Sequence, residues 1–143
     1  DMSLIIEPEA LRLMIADAEE AFPDECCGFA FGRESADGRR ITEALAVHNA
    51  KEGDKRRRFE IAPRDYMRAE RYAAERDLEL LGIYHSHPNH PPIPSEHDRV
   101  AAQPFFSYLI FSVYEGLHRE LRSWRLTEAA QVDPEPVYTP DET

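Results

Sequence analysis

Apolar and polar positions along this chain follow two periods in turn. Leu4-Ile5-Ile6 is a short apolar run that predicts a strand, and Pro8 follows at a position favoured in the first turn of a helix. Ala10, Leu11, Met14, Ile15, Ala18 and Phe22 then recur at spacings of three and four, which predicts one buried helical face to about Ala21. Cys26 to Gly32 reads as an apolar strand, Ala36-Asp37-Gly38 as a hairpin turn, and Arg40 to Asn49 as an imperfect return strand carrying Ile41, Ala44, Leu45 and Val47. Lys51 to Arg58 is a charged loop, Phe59 to Ala62 predicts a further strand, and Pro63-Arg64-Asp65 opens a second helix to about Glu75. Leu80 to Tyr84 is short, apolar and rich in strand formers, Ser95 sits where a helix begins, and Tyr108 to Tyr114 pairs with Leu117 to Leu126 across Glu115-Gly116. Residues 127–143 are acidic, carry three prolines and show no periodicity, so a flexible C-terminal tail is expected. Helical and strand periods alternating over 143 residues predict one α/β domain, set at residues 1–126.

Charge narrows the partners. Seventeen Lys plus Arg against twenty-eight Asp plus Glu leave a net charge of −11, which argues against a nucleic-acid or anionic-membrane surface. The run Lys55-Arg56-Arg57-Arg58 stands out in so acidic a chain, with a solvated loop as its plain reading. The two cysteines, Cys26 and Cys27, are adjacent and cannot staple distant segments, so a reducing cytoplasm is expected. No signal-peptide pattern or apolar run of membrane-spanning length is present, and Asp1 ahead of Met2 reads as an added residue. Nothing in the sequence fixes an oligomeric state.

The chemistry concentrates in His85-Ser86-His87-Pro88 and, with seven residues between His87 and Ser95, in Ser95 followed by Asp98. Alternation along a strand sends His85 and His87 to one face about 7 Å apart and Ser86 to the other. Four prolines between residues 88 and 94 stop the strand and stiffen the connection. Ser95 then stands at a helix N-cap, with Asp98 in the first turn, so a carboxylate can swing back to the two imidazoles. Two histidines and one carboxylate suit Zn²⁺, which binds them at about 2.0 to 2.2 Å and in catalytic sites keeps its fourth position open. A base for a metal-activated water is absent locally, and Glu25, at the start of the Cys26 strand, is the candidate. Each piece also has a plainer reading. His-x-His occurs on ordinary strands, and Ser-x-x-Asp is a capping arrangement in its own right. His90 and His97 could compete as ligands, whereas His48 and His118 have no liganding neighbours in the sequence.

Glu25, His85-Ser86-His87-Pro88, the seven residues Pro88 to Pro94, and then Ser95 and Asp98 resemble the signature of the JAMM metalloproteases, the catalytically competent MPN or Mov34 domains. The Pro-Asp-Glu-Cys-Cys-Gly stretch, the Phe59-Glu60-Ile61-Ala62-Pro63 segment and Gly-Ile-Tyr-His-Ser-His-Pro resemble the short prokaryotic branch, over about residues 3 to 126. The resemblance implies a cytidine-deaminase-like α/β fold, a curved mixed sheet flanked by helices. It also implies one Zn²⁺ per chain on His85, His87 and Asp98, Glu25 as general base on zinc-bound water, and Ser95 stabilising the oxyanion. The implied substrate is an amide bond after the C-terminal Gly-Gly of a ubiquitin-like, sulfur-carrier type protein, and the implied site of its tail borders the Lys55 to Arg58 segment. Two other classes are distinguishable: a non-catalytic MPN-type binding module with a structural metal, and a zinc deaminase. The deaminase signature is absent, because no Pro-Cys-x-x-Cys follows the histidines and neither is followed two residues later by Glu.

Overall fold

A computed structural model describes residues 3–140; Asp1-Met2 and the last three residues of the expected tail lie outside the described residues. The elements run β1 (Ser3–Ile6), α1 (Pro8–Ala21), β2 (Cys27–Ser35), β3 (Gly38–Val47), α2 (Pro63–Arg76), β4 (Glu79–Pro88), α3 (Glu96–Ala101), β5 (Ser107–Tyr114), β6 (Leu117–Leu126), β7 (Val132–Glu135) and β8 (Val137–Tyr138). They build one curved, mixed, eight-stranded sheet in the order β7-β6-β5-β4-β2-β3-β1-β8. Four of the seven neighbouring pairs are antiparallel; β1 runs parallel to both β3 and β8, and β4 runs parallel to β5, the chain between those two crossing over through α3.

Helices cover the two faces of the sheet. Pro8 stands at the favoured start of α1, which buries Ala10, Met14 and Ala18 at helical spacing against a cluster that includes Leu4, Ile41, Leu109 and Phe111. On the opposite face α2 presses Ala69 and Ala73 onto Phe29, Phe31 and Ile83. Each fully buried Leu, Ile or Phe contributes about 1.5 to 3 kcal/mol through apolar burial, so the central strands form a stiff floor. Central β4 is buried without a break from Leu81 to Pro88, as a strand covered on both faces must be. Gly28 permits this packing: a Cβ there would run into the Tyr84 ring and the Leu45 carbonyl.

Two sequence expectations are corrected. Phe59 to Ala62 is not a strand. Only one backbone bond ties it to the end of the β3 segment, Ala50 N–H to the Glu60 carbonyl (2.8 Å), and the Glu60 N–H donates instead to Asn49 Oδ1 (3.1 Å). The chain beyond residue 126, expected to lack regular structure, supplies both edge strands: β7 pairs with β6, and β8 pairs parallel to β1. Pro134 and Pro136 obscured this in the sequence, yet edge strands tolerate proline because one row of their backbone groups has no ladder partner. Val132 packs with Ile110 and Trp124, and Glu135 accepts from the Ser123 hydroxyl (2.8 Å), which anchors β7. The strand pair β2-β3 also runs longer toward its turn than predicted, to Ser35 and from Gly38. No helix among the described residues is long and apolar enough to cross a membrane.

Candidate active site

Strand alternation divides the His85-Ser86-His87 triplet between the two faces of the sheet. Ser86 faces α1, where its hydroxyl accepts the Cys26 N–H (2.8 Å) while its own N–H donates to the Cys26 carbonyl (3.3 Å). That double link fastens the end of β4 to the residue after Glu25. His85 and His87 share the α2 face, with the Phe59 ring stacked on His85 at 4.5 Å. The loop after Pro88 is pinned at its middle. His87 Nδ1 donates to the Pro91 carbonyl (2.9 Å) and Trp124 Nε1 to that of Pro92 (3.0 Å). A proton on His87 Nδ1 leaves the Nε2 lone pair bare, the tautomer a metal ligand needs.

The loop delivers the chain to α3 through a capping box. Ser95 Oγ accepts the Asp98 N–H (3.1 Å), and Asp98 Oδ2 accepts the Ser95 N–H (2.9 Å). The same Oδ2 lies 3.3 Å from His85 Nε2 and 3.2 Å from His87 Nε2, and the two Nε2 atoms are 3.2 Å apart. Three ligands placed about 2.0 to 2.1 Å from one tetrahedral ion are themselves about 3.3 Å apart, so this near-equilateral triangle has the size Zn²⁺ requires. The charges agree as well. Burial drives the His85 imidazole below its usual pKa, toward the neutral form a metal ligand needs, and the Asp98 carboxyl is held well below the carboxylate range by the facing histidines and the Ser95 N–H, against the opposing effect of its burial. Of the described residues, His85, His87 and Asp98 form the one group of three that could hold a metal ion. His90, His97, His48 and His118 lie outside it.

Glu25 is 6% exposed at the threshold of β2. Its carboxyl is pushed up to about 9, first by burial and then by the negative charge of Asp98, with Arg58 pulling the other way. The sequence-predicted acid therefore shares the electrostatic environment of the three ligands. Ser95 is exposed at the rim. Its oxygen is engaged as an acceptor, which leaves the O–H free to donate. Both cysteines are buried free thiols outside the metal-competent group; burial first, then nearby acids, raises Cys26 well above its ordinary value and pushes Cys27 up to about 12. Beside the ligands opens a cavity of about 220 Å³, largely apolar, lined by Phe59, Ile61, Tyr66, Tyr108, Ile110 and Val132 among others.

Phe59, Pro91, Ser86 and Asn49 make contacts around the site that periodicity does not reveal. Phe59 and Pro91 lie in segments whose pattern says only "loop" or "strand". Ser86 sits inside the motif, but only the packed β2-β4 pair shows what its hydroxyl holds. Asn49 gives a faint signal, an amide at the end of a strand before a charged loop.

Residues 7–127 match the family described as prokaryotic homologs of the JAB domain. The chain belongs to the prokaryotic JAB, or JAMM, family. The matched span contains Glu25, His85, His87, Ser95 and Asp98, so all five lie within the JAB domain. This JAB chain is 30% identical over 135 residues to the CysO-cysteine peptidase of Mycobacterium tuberculosis, covering 94% of this chain and 89% of that protein. It is 32% identical over 130 residues to the desampylase of Pyrococcus furiosus, covering 91% and 86%. Its fold superposes with a TM-score of 0.84 on the solution structure of a protein from Desulfitobacterium hafniense that is 28% identical, covering 97% of this chain and 94% of that one.

Proposed function

We propose that this protein is a zinc-dependent peptidase or isopeptidase that hydrolyses the amide bond following the C-terminal Gly-Gly of a ubiquitin-like, sulfur-carrier type protein. The observation that carries the reading is the convergence of His85 Nε2, His87 Nε2 and Asp98 Oδ2 within 3.3 Å of one another, in the electrostatic reach of a buried carboxyl, Glu25. When bound to the triad, Zn²⁺ supplies Lewis-acid polarisation of the scissile carbonyl and acidifies water at its open position. Positive charge there also offsets the Asp98 carboxylate, the second cause of the raised Glu25 pKa, and draws Glu25 toward the ionised form a base requires.

Glu25 takes a proton from the attacking water as the new carbon–oxygen bond forms, and gives it to the leaving nitrogen as the carbon–nitrogen bond breaks. The Ser95 O–H donates to the oxyanion that develops on the former carbonyl oxygen. An extended Gly-Gly tail can lie along the apolar cavity beside the ligands, because glycines pass a narrow groove and the tail's apolar residues find Phe59, Tyr66 and Tyr108. The relatives named CysO-cysteine peptidase and desampylase support this substrate class, as does the basic segment Lys55 to Arg58, suited to an acidic carrier.

The test is turnover of a sulfur-carrier protein bearing one cysteine after its Gly-Gly, with zinc-loaded wild type and Glu25→Gln in parallel. Cysteine release by wild type alone is expected. Tight carrier binding with no release by either protein would replace the peptidase reading with that of a docking module whose metal is structural.

A further inference from the structure

Asn49 follows β3 by two residues, lies 9% exposed, and has all four hydrogen-bonding positions of its amide filled. Nδ2 donates to the Glu25 carbonyl (3.1 Å) and to the Arg58 carbonyl (3.2 Å). Oδ1 accepts from the Lys51 N–H (3.0 Å) and the Glu60 N–H (3.1 Å). Around this hub the Glu25 N–H donates to the Lys55 carbonyl (2.8 Å) and the Ala50 N–H to that of Glu60 (2.8 Å). One side chain thus joins the backbone of Glu25, both ends of the 51–58 loop, and the segment that carries Phe59 onto the His85 ring.

The geometry points to Asn49 as a positioning residue for the hydrolysis: one N–H holds the Glu25 carbonyl and the other the Arg58 carbonyl beside Phe59, while its oxygen holds the Glu60 N–H on the far side of Phe59 and the Lys51 N–H, so that the Glu25 backbone and the Phe59 wall keep a fixed place relative to the candidate metal ligands. This rests on the reading of Glu25 as the base. The need for such a clamp follows from where Glu25 sits. It precedes the first residue of β2, so strand pairing does not fix it, and both of its backbone polar groups are satisfied by the loop and by Asn49. A side chain on an unpaired residue wanders with its backbone, and displacement of a catalytic group by about 1 Å costs about 100-fold in rate.

Two variants separate the halves of the clamp. Asn49→Asp keeps the acceptor oxygen for Lys51 and Glu60 but turns the donor toward Glu25 and Arg58 into a second acceptor, while Asn49→Ala removes both. Zinc-loaded proteins are compared by bound zinc, by amide hydrogen exchange, and by steady-state kinetics on the sulfur carrier with one cysteine after its Gly-Gly. Expected in Asn49→Asp are one zinc per chain, protected Lys51, Glu60 and β5 amides, exchange of the Glu25 amide faster by about tenfold or more, and kcat lower by about 100-fold with KM nearly unchanged. Asn49→Ala should add fast exchange at Lys51 and Glu60. Unchanged Glu25 exchange, unchanged kcat, or an effect confined to KM overturns the assignment. Lost β5 protection in both variants overturns it too, by making Asn49 a folding residue. Glu25→Gln run alongside keeps the two readings apart: full turnover by that variant removes the base whatever Asn49 does, whereas an inactive Glu25→Gln beside fully active Asn49 variants removes only the clamp.

Discussion

Metal-free protein should lose stability as the pH rises through neutrality, and Glu25 should be the cause. Burial and Asp98 push its carboxyl up to about 9, against an ordinary value of 4.5, so the folded state keeps a proton that the unfolded chain releases. A group whose pKa is raised by folding stabilises fully below its unfolded value, and that contribution drains away as the pH climbs toward the folded value. The window therefore runs from about 4.5 to about 9. Inside it, each pH unit is worth up to about 1.4 kcal/mol, so moving from about pH 5.5 to about pH 7.5 costs up to about 2.7 kcal/mol, a large part of a typical domain's 5 to 15 kcal/mol. With a urea m-value of about 2 kcal/mol/M, the midpoint falls by up to about 1.4 M.

His85 and His118, both held below their ordinary values by burial, bend the curve the opposite way in the lower part of this range. Comparison with Glu25→Gln cancels them, because glutamine copies the protonated acid and leaves the histidines in place. In chelator-treated protein the two urea midpoints should nearly coincide at about pH 5 and separate as the pH rises, the variant being the more stable. Saturating zinc should close the gap, since a cation stabilises the ionised carboxylate. Parallel pH curves for the two metal-free proteins would refute the assignment of Glu25 to this buried, Asp98-facing environment.

Purified without chelator, the chain should carry about one zinc, and His87→Ala should abolish it and the zinc-dependent rise in melting temperature; stoichiometric zinc in that variant, by elemental analysis, contradicts the ligand set. Glu25→Gln should keep its zinc yet lose about 10²- to 10⁴-fold in turnover, with Ser95→Ala between it and wild type, as steady-state kinetics would report. Replacing Arg56 and Arg57 by Glu should raise KM for an acidic carrier more than it lowers kcat, and the effect should shrink as the Debye length falls from about 10 Å at 0.1 M salt to about 3 Å at 1 M. An unchanged KM at low salt returns those arginines to a solvated loop.

Much of this architecture is legible in the sequence because each element carries its own period. The α1 face Ala10, Met14, Ala18 and the apolar run of β4 are local patterns, and local patterns survive folding. Phe59 to Ala62 misleads for a matching reason: it has strand-like residues, but the Glu60 N–H goes to a side chain, Asn49, eleven residues back, instead of to a strand ladder, and no periodicity encodes that. The last strands were hidden because proline and acidity, which signal disorder in isolation, are compatible with the edges of a sheet already built by others.

The candidate metal ligands are legible for a different reason. Two histidines on one strand face and an acid in the first turn of the next helix are close in sequence, and the proline-stiffened loop restricts where they can meet. The acid across the site was not readable from spacing, since Glu25 is sixty residues from His85 and reaches it only through the β2-β4 pairing that sets Cys27 opposite His85. The capping and metal readings of Ser95-x-x-Asp98 are also compatible in this geometry. Asp98 Oδ2 receives the Ser95 N–H and faces both histidines at once, so the box that starts a six-residue helix is also what aims the carboxylate. A helix that short has little stability of its own, and its cap is worth about 1 kcal/mol. Metal binding at Asp98 should therefore tighten α3, and loosening the cap should weaken the metal. Ser95→Ala then has two consequences with separate readouts, a lower kcat from the lost oxyanion donor and a modestly weaker zinc affinity from the lost cap. Ser95→Thr, which restores both the hydroxyl and the cap, should recover the affinity in a competition titration against a chelator; failure to recover it would mean that the cap does not hold the ligand.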